Sequence, residues 1–208
     1  MKEGIIFDLD GTLWDSVEPV VESWNEILRN ISEINYSLTI EESKKLMGKT
    51  ITEIASIVLG EVDKDRALEI IEECCKNELI YLEKEGGKLY PNLENTLKEL
   101  LKKYNLYIVS NCQENYIETF LKYHKLDNYF SDCENHGRTK LSKSENIKLI
   151  IERNKLDKAV YIGDTQGDYD AAKLAGIPFI HARYGFGTVN EPVDFIDSFD
   201  ELLALSGN

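Results

Sequence analysis

The sequence predicts an α/β fold: a parallel sheet with helices on both faces, interrupted after its first strand by an all-helical insert. The chain opens on a short apolar run, Gly4-Ile5-Ile6-Phe7, that stops at two acids and a glycine, Asp8-Leu9-Asp10-Gly11. That is the pattern of a buried strand bounded by a turn. From Trp14 to Tyr90 no further strand of this type occurs, and residues 37 to 85 carry helical signals throughout. From Pro91 onward, short apolar runs alternate with helical segments, which argues for a parallel sheet covered by helices. The reading is a Rossmann-like core built from 1–14 and 87–208, with a helical unit at 15–86.

Taken in order, the first strand carries Asp8 to its carboxyl end and throws Asp10 into the following turn. Asp15 or Ser16 then caps a helix from 17 to about 30, with Glu18 three residues after Asp15 and Pro19 in the first turn. Thr39-x-x-Glu42 and Thr50-x-x-Glu53 have the form of capping boxes, and 67–84 shows helical periodicity. Gly86-Gly87 is a natural linker back to the sheet. Helices are expected at 93–103, 114–123, 144–154, 167–174 and 199–205, and strands at 106–109, 159–162 and 177–181. There is no internal repeat and no low-complexity segment.

Composition narrows the function. The 208 residues can bury a sizeable core, and 42% hydrophobic content is ordinary for a globular chain. No apolar stretch approaches the roughly 20 residues that span a bilayer. Met1-Lys2-Glu3-Gly4 runs straight into the first strand, so no secretory signal is expected and the protein is placed in the cytoplasm. Cys74 and Cys75 are adjacent, while Cys112 and Cys133 stand alone, so neither a C-x-x-C pair nor a disulfide ladder appears. His124, His136 and His181 have no metal-ligand spacing. With 24 basic and 38 acidic residues the net charge is −14, which repels nucleic acid. An anionic ligand would need local positive charge, and a bound metal is the strongest source. No obligate protein partner is evident.

Three apolar runs end in polar residues on the same expected edge: at Asp8, at Ser110-Asn111, and at Gly163-Asp164 with Asp168 beyond. A parallel sheet gathers those ends into one crevice, where open α/β sheets bind ligands. Asp8 and Asp10 there suit Mg²⁺, or a nucleophile beside a proton-transfer group. As the alternative, both acids are only turn residues before Gly11.

In its motifs the chain resembles the haloacid dehalogenase superfamily. That family is marked by D-x-D-G-T, a Ser or Thr ending the second core strand, a Lys opening a later helix, and G-D-x-x-x-D. These stand here as Asp8-Leu9-Asp10-Gly11-Thr12, Ser110-Asn111, Lys143, and Gly163-Asp164-Thr165-Gln166-Gly167-Asp168. The resemblance spans essentially the whole chain, including Gly185-Phe186-Gly187 and Glu191-Pro192, and identifies the helical insert as a cap between the first two motifs. It implies a phosphoglycolate phosphatase-like enzyme that hydrolyses a small phosphorylated metabolite with Mg²⁺. Asp8 would be the nucleophile that forms an aspartyl-phosphate, and Asp10 the acid and base. Asp8, the backbone carbonyl of Asp10, and Asp164 would hold the metal, with Asp168 orienting that shell or, alternatively, capping a helix. Ser110 and Asn111 would bind phosphate, although Ser110 also suits the N-cap of a helix at Gln113.

Lys143 is the expected active-site cation, because Ser142-x-x-Glu145 places it at a helix start, with Lys140 as the alternative. The residues after Lys143, Ser144-Glu145-Asn146, depart from the prolines usual in relatives. On the cap side, Trp14, Met47, Gly48, Lys49 and Thr50 are the candidates for reading the leaving group, Trp14 alternatively packing at a hinge. A dehalogenase would lack the acid at Asp10, and a phosphonate hydrolase would need a cap lysine such as Lys44, Lys45 or Lys49 to form a Schiff base. A phosphomutase shares every core motif. From a different class, a phospho-accepting signalling module would carry its acceptor on a middle strand, without a long helical insert after the first.

Overall fold

The computed structural model describes residues 1–205 of the chain; the last three residues of the 87–208 range lie outside the described residues. In chain order the elements are β1 (Glu3–Phe7), β2 (Trp14–Asp15), α1 (Val17–Arg29), α2 (Ile40–Leu46), α3 (Ile51–Val58), α4 (Lys64–Glu85), β3 (Lys88–Leu89), α5 (Leu93–Leu100), β4 (Asn105–Ser110) and α6 (Tyr116–His124). There follow β5 (Asp132–Asn135), α7 (His136–Thr139), α8 (Lys143–Asn154), β6 (Lys158–Gly163), α9 (Gln166–Ala175), β7 (Phe179–Ala182), β8 (Asp194–Ile196) and, after a 3₁₀ turn at Phe199–Glu201, α10 (Leu202–Leu205).

Six strands form one all-parallel sheet in the order β5-β4-β1-β6-β7-β8. Successive side chains of a strand point to opposite faces. Ile5 and Phe7 of β1 therefore pack with Leu106, Ile108 and Phe120 on one face, while Ile6 packs with Tyr107, Tyr161, Ile147 and Ala172 on the other. Covered on both sides, β1 reads as a continuous apolar run. The chain leaves β1, returns as β4 on one flank, and later crosses to β6 on the other. The carboxyl end of β1 is thus a switch point of the sheet, where a crevice opens.

Helices α1 to α4 close around a separate apolar cluster that includes Val20, Trp24 and Leu28 of α1 and Ile70, Ile71 and Cys74 of α4. Their i, i+3 and i, i+4 spacing puts each set on one helix face. Thr39 and Thr50 form the expected capping boxes with Glu42 and Glu53, and Asp63 caps α4 through the amides of Asp65 and Arg66. The two connections to the sheet pair antiparallel as β2 and β3, Trp14 opposite Leu89 and Asp15 opposite Lys88. Gly86 takes φ +64, and a Cβ there would sit 2.1 Å from the Tyr123 ring, so the linker needs glycine.

Several elements depart from the sequence reading. The 93–103 helix stops at Leu100, and the 114–123 helix starts only at Tyr116, so Ser110 is not its N-cap; Asn115 is. Edge strands β5 and β8 were not anticipated, because Asp132-Cys133-Glu134-Asn135 is polar and Asp194-Phe195-Ile196 is short. In β5 the buried Glu134 is held by Arg138 at 2.7 Å and Arg153 at 2.9 Å, which replaces the missing apolar signal with ion pairs. Among the described residues, no helix is long and apolar enough to cross a membrane.

Candidate active site

The site grows from the ends of three adjacent strands. The Asp8 amide donates to the Ile162 carbonyl at 2.8 Å, carrying the β1–β6 pairing one residue past the strand and setting Asp8 beside Gly163-Asp164. The chain then turns sharply, with the Gly11 amide bound to the Trp14 carbonyl at 2.9 Å. Gly11 has φ +77, and a Cβ there would lie 2.2 Å from Asp164 Oδ2. Glycine is required twice over, by the backbone and by the carboxylate against it.

Asp8, Asp164 and Asp168 are all buried, and one carboxylate oxygen from each falls within 4.8 Å of the others. Lys143, only 6% exposed, reaches in from the start of α8 and donates to Asp8 Oδ1 at 3.0 Å and Asp168 Oδ1 at 2.6 Å. Burial opposes its charge, but Asp168 and Asp8 outweigh burial and hold Lys143 above the ordinary lysine range. Lys140 ends α7 with an exposed side chain and stays outside the cluster. The helix-capping alternative for Asp168 is realised. Its Oδ2 accepts from the amide and hydroxyl of Thr165, at 2.9 and 2.7 Å, while Oδ1 serves Lys143.

Asp164 Oδ2 accepts from the amides of Phe186 at 2.7 Å and Gly187 at 3.3 Å. Its Oδ1 is buried with no hydrogen-bond partner. A buried acceptor without a donor is costly in a natural protein unless something else engages it. An oxygen-rich cluster with one such acceptor fits a hard divalent cation, which Asp8 and Asp164 could hold. Asp8 itself is pushed up to about 7, chiefly by burial and then by Asp168, against the pull of Lys143. Asp164 is raised well above the carboxylate range by burial, Asp168 and Asp8. Positive charge in the cluster relieves both.

Asp10 is aimed differently. Its Oδ1 accepts from Ser16 Oγ at 2.6 Å and lies 3.0 Å from the Tyr116 hydroxyl. Burial raises it to about 6 despite those hydrogen bonds. Ser16 holds the N-cap position of α1 without a side-chain capping bond; Asp15 accepts from the Val17 amide at 3.0 Å instead, which leaves the Ser16 hydroxyl for Asp10.

A cavity of about 60 Å³ lies between the sheet end and the helical unit, lined by Asp10, Ser110 and Asn111 from the core and by Met47, Gly48, Lys49, Trp24 and Glu78 from the helices. Asn111 Nδ2 donates to the Gly48 carbonyl at 2.8 Å, tying the two sides together. Two expected pocket residues are elsewhere. Trp14 is fully buried and packs edge-on to Tyr116, Phe120 and His124, so it takes the hinge-packing role. The Thr50 hydroxyl is engaged in capping α3, and the residue does not line the cavity. The sequence reading missed Ser16, Tyr116, Trp24 and Glu78. Glu78 had a visible signal: it continues the buried Ile70-Cys74-Glu78-Leu82 stripe of α4 at i, i+4 spacing, an acid at a core position. A wider cavity of about 450 Å³ opens at the other end of the sheet, beside Gly4, Ile5 and Leu156, where none of these acids reaches.

A parallel sheet with acids converging on its switch point, beneath a helical unit inserted after the first strand, defines a class of α/β hydrolytic enzymes. Residues 5–182 match the model of the haloacid dehalogenase-like hydrolases, and the chain belongs to that family. It is similar to the phosphoglycolate phosphatase of Aquifex aeolicus, 27% identical over 195 residues that cover 91% of this chain and 88% of that protein. The phosphoglycolate phosphatase of Aliivibrio fischeri is 26% identical over 219 residues, covering 97% and 95%. Among solved structures, a haloacid dehalogenase-like hydrolase from Bacteroides fragilis aligns with a TM-score of 0.84 at 28% identity, over 97% of this chain and 100% of that one. This chain is an enzyme of the same hydrolase family, and the curated relatives named here are phosphoric monoester hydrolases.

Proposed function

We propose that this chain is a Mg²⁺-dependent phosphatase that hydrolyses a small phosphate monoester through an aspartyl-phosphate on Asp8. The observation that carries the reading is the Lys143 bridge between Asp8 and Asp168 beside the unpartnered oxygen of Asp164. It leaves a buried carboxylate, fixed at a strand end, next to a place for positive charge.

In this reading Asp8 attacks phosphorus, and the P–O bond to the leaving group breaks as the bond to Asp8 forms. With Oδ1 held by two hydroxyls, Asp10 gives the proton on Oδ2 to the departing alkoxide. It then takes a proton from the water that attacks the aspartyl-phosphate. A raised pKa is what that double duty requires. Lys143 offsets negative charge between Asp8 and the phosphoryl oxygens. Ser110 and the amides that follow it offer hydrogen bonds to those oxygens, while Asn111 keeps Gly48 in place. When bound by Asp8, the Asp10 carbonyl and Asp164, Mg²⁺ supplies charge stabilisation for the phosphoryl group.

Segment 15–86 serves as the cap over a core of 1–14 and 87–208, with the β2–β3 pair as its two-stranded hinge. Met47, Gly48 and Lys49 face the leaving group. The reading is tested by assaying p-nitrophenyl phosphate and a panel of metabolite phosphates with and without Mg²⁺. Continuous metal-dependent release of phosphate is expected, and its absence from every substrate would reject the proposal.

A further inference from the structure

The cavity between the sheet end and the helical unit is walled partly by apolar side chains and partly by the polar side chains of Ser43, Glu78, Asn111 and Gln113. Glu78 Oε2 accepts from the Trp24 indole N–H at 2.7 Å, and Asn111 Nδ2 donates to the Gly48 carbonyl at 2.8 Å. Two polar atoms of this wall are buried and, among the described residues, have no hydrogen-bond partner: Gln113 Nε2, a donor, and Asn111 Oδ1, an acceptor. A buried donor left unmet is costly, so natural proteins set a ligand or a water against it. The backbone that carries Gln113 is held in place. The Gly137 amide donates to the Cys112 carbonyl at 3.0 Å, and a Cβ at Gly137 would lie 2.2 Å from the Glu114 nitrogen and 2.6 Å from Gln113 Cα. Burial pushes the neighbouring Glu78 up to about 8, with partial relief from Trp24 and from Gln113 beside it. At neutral pH Glu78 therefore also has a proton to donate.

We propose that Gln113, in the loop between β4 and α6, is a specificity-determining residue that donates through Nε2 to an oxygen on the leaving group, selecting small phosphomonoesters with an oxygen-bearing leaving group over purely aliphatic ones. The inference rests on the phosphatase reading above and names its substrate class. The acceptor is the chemistry that a hydroxyl and a carboxylate share. An aliphatic group of the same size displaces any water bonded to Gln113 and leaves the N–H unmet, the kind of loss by which such sites discriminate. A water needs ~10–15 Å³ of such space, so about 60 Å³ holds a group of only a few heavy atoms.

The test uses two isosteric pairs with Mg²⁺: 2-hydroxyethyl phosphate against propyl phosphate, and 2-phosphoglycolate against isobutyl phosphate. Within each pair oxygen takes the place of methyl, so the pair that discriminates identifies a hydroxyl or a carboxylate as the source of the acceptor. Wild type is expected to favour the oxygen-bearing ester of at least one pair by about tenfold or more in kcat/KM. Gln113→Met keeps the length of the side chain but has no donor. It should bring that ratio to within about twofold of unity, mainly by raising KM for the oxygen-bearing ester. A purely structural role would depress all four esters together and leave the ratio alone. If Gln113→Met fails to fold, Gln113→Leu removes the same donor, and the wild-type ratios need no variant. Ratios below twofold in both wild-type pairs, or a preference that Gln113→Met leaves within twofold of wild type, overturn the inference while the phosphatase reading stands. Failure to hydrolyse any of these esters or p-nitrophenyl phosphate overturns the phosphatase reading and this inference together.

Discussion

Ser16 Oγ donates to Asp10 Oδ1 at 2.6 Å, and the Tyr116 hydroxyl closes the triangle, 3.0 Å from that oxygen and 2.9 Å from Ser16 Oγ. Ser16 is where the chain leaves the sheet for the helical unit, and Tyr116 opens α6 of the core. The proposed proton donor is therefore held by one group at the start of the helical segment and one from the sheet-covering helix α6.

That arrangement predicts a dependence on the leaving group. Asp10→Asn should lower kcat for an alkyl phosphate by about 10²–10⁴-fold, the usual contribution of general acid–base catalysis. It should cost less in the first step with p-nitrophenyl phosphate, whose phenolate leaves without a proton. With Asp10 at about 6, the acid form is lost as pH rises through that value. Wild-type kcat for an alkyl phosphate should fall there, and steady-state pH profiles for the two esters would show it.

Lys143 is the cation of a buried cluster of acids, and removing one partner of such a cluster leaves charge uncompensated. Lys143→Ala should cost roughly 3–5 kcal/mol of stability, read from urea unfolding, and abolish turnover. Lys140→Ala, outside the cluster on an exposed turn, should change neither by a measurable amount.

Divalent metal should stabilise the folded chain by mass action. Mg²⁺ titration is expected to raise the Tm of wild type and to leave that of Asp164→Asn nearly unchanged, because that variant loses the unpartnered carboxylate oxygen. Ca²⁺ should bind yet support activity poorly, since its longer bonds and larger shell draw carboxylate and phosphate out of line. Equal activity with either ion would contradict the metal assignment.

Glu78 carries a stability prediction independent of turnover. Its ordinary value of 4.5 is raised to about 8 in the folded chain. Between those values the folded state binds the proton more tightly than the unfolded state, so stability falls as pH rises across that window. The full difference is on the order of 3–5 kcal/mol, at 1.36 kcal/mol per pKa unit. Glu78→Gln should lose its share of that slope and be the more stable protein at pH 8, measured by urea midpoints at pH 5 and pH 8.

The strand-end residues of the candidate site were legible because each follows an apolar run: Phe7 before Asp8, Val109 before Ser110, Ile162 before Gly163-Asp164. A buried parallel strand has no polar alternation, so its end is sharply marked in sequence. Lys143 was legible for a different reason, the capping box at Ser142. Trp14 stayed open between pocket and packing because a large aromatic beside a motif looks the same in sequence whether it faces a pocket or a core; its burial against Tyr116, Phe120 and His124 favours packing. β5 stayed hidden because ion pairs to Glu134 stabilise it where apolar residues would have announced it. Ser16 and Tyr116 meet Asp10 only through tertiary folding, and no local pattern encodes that meeting.

The most direct test of the account is to trap the phosphorylated enzyme. Asp10→Asn retains Asp8 but lacks the base for the second step, so acetyl phosphate with Mg²⁺ should leave a phosphoryl group on the protein. Peptide mass mapping is expected to find an added 80 Da, labile to hydroxylamine, on the peptide carrying Asp8. The label should be absent from the Asp8→Asn/Asp10→Asn double variant. Phosphate release by wild type with no label in Asp10→Asn at any time point, or a label on another residue, would contradict the assignment of Asp8 as the nucleophile.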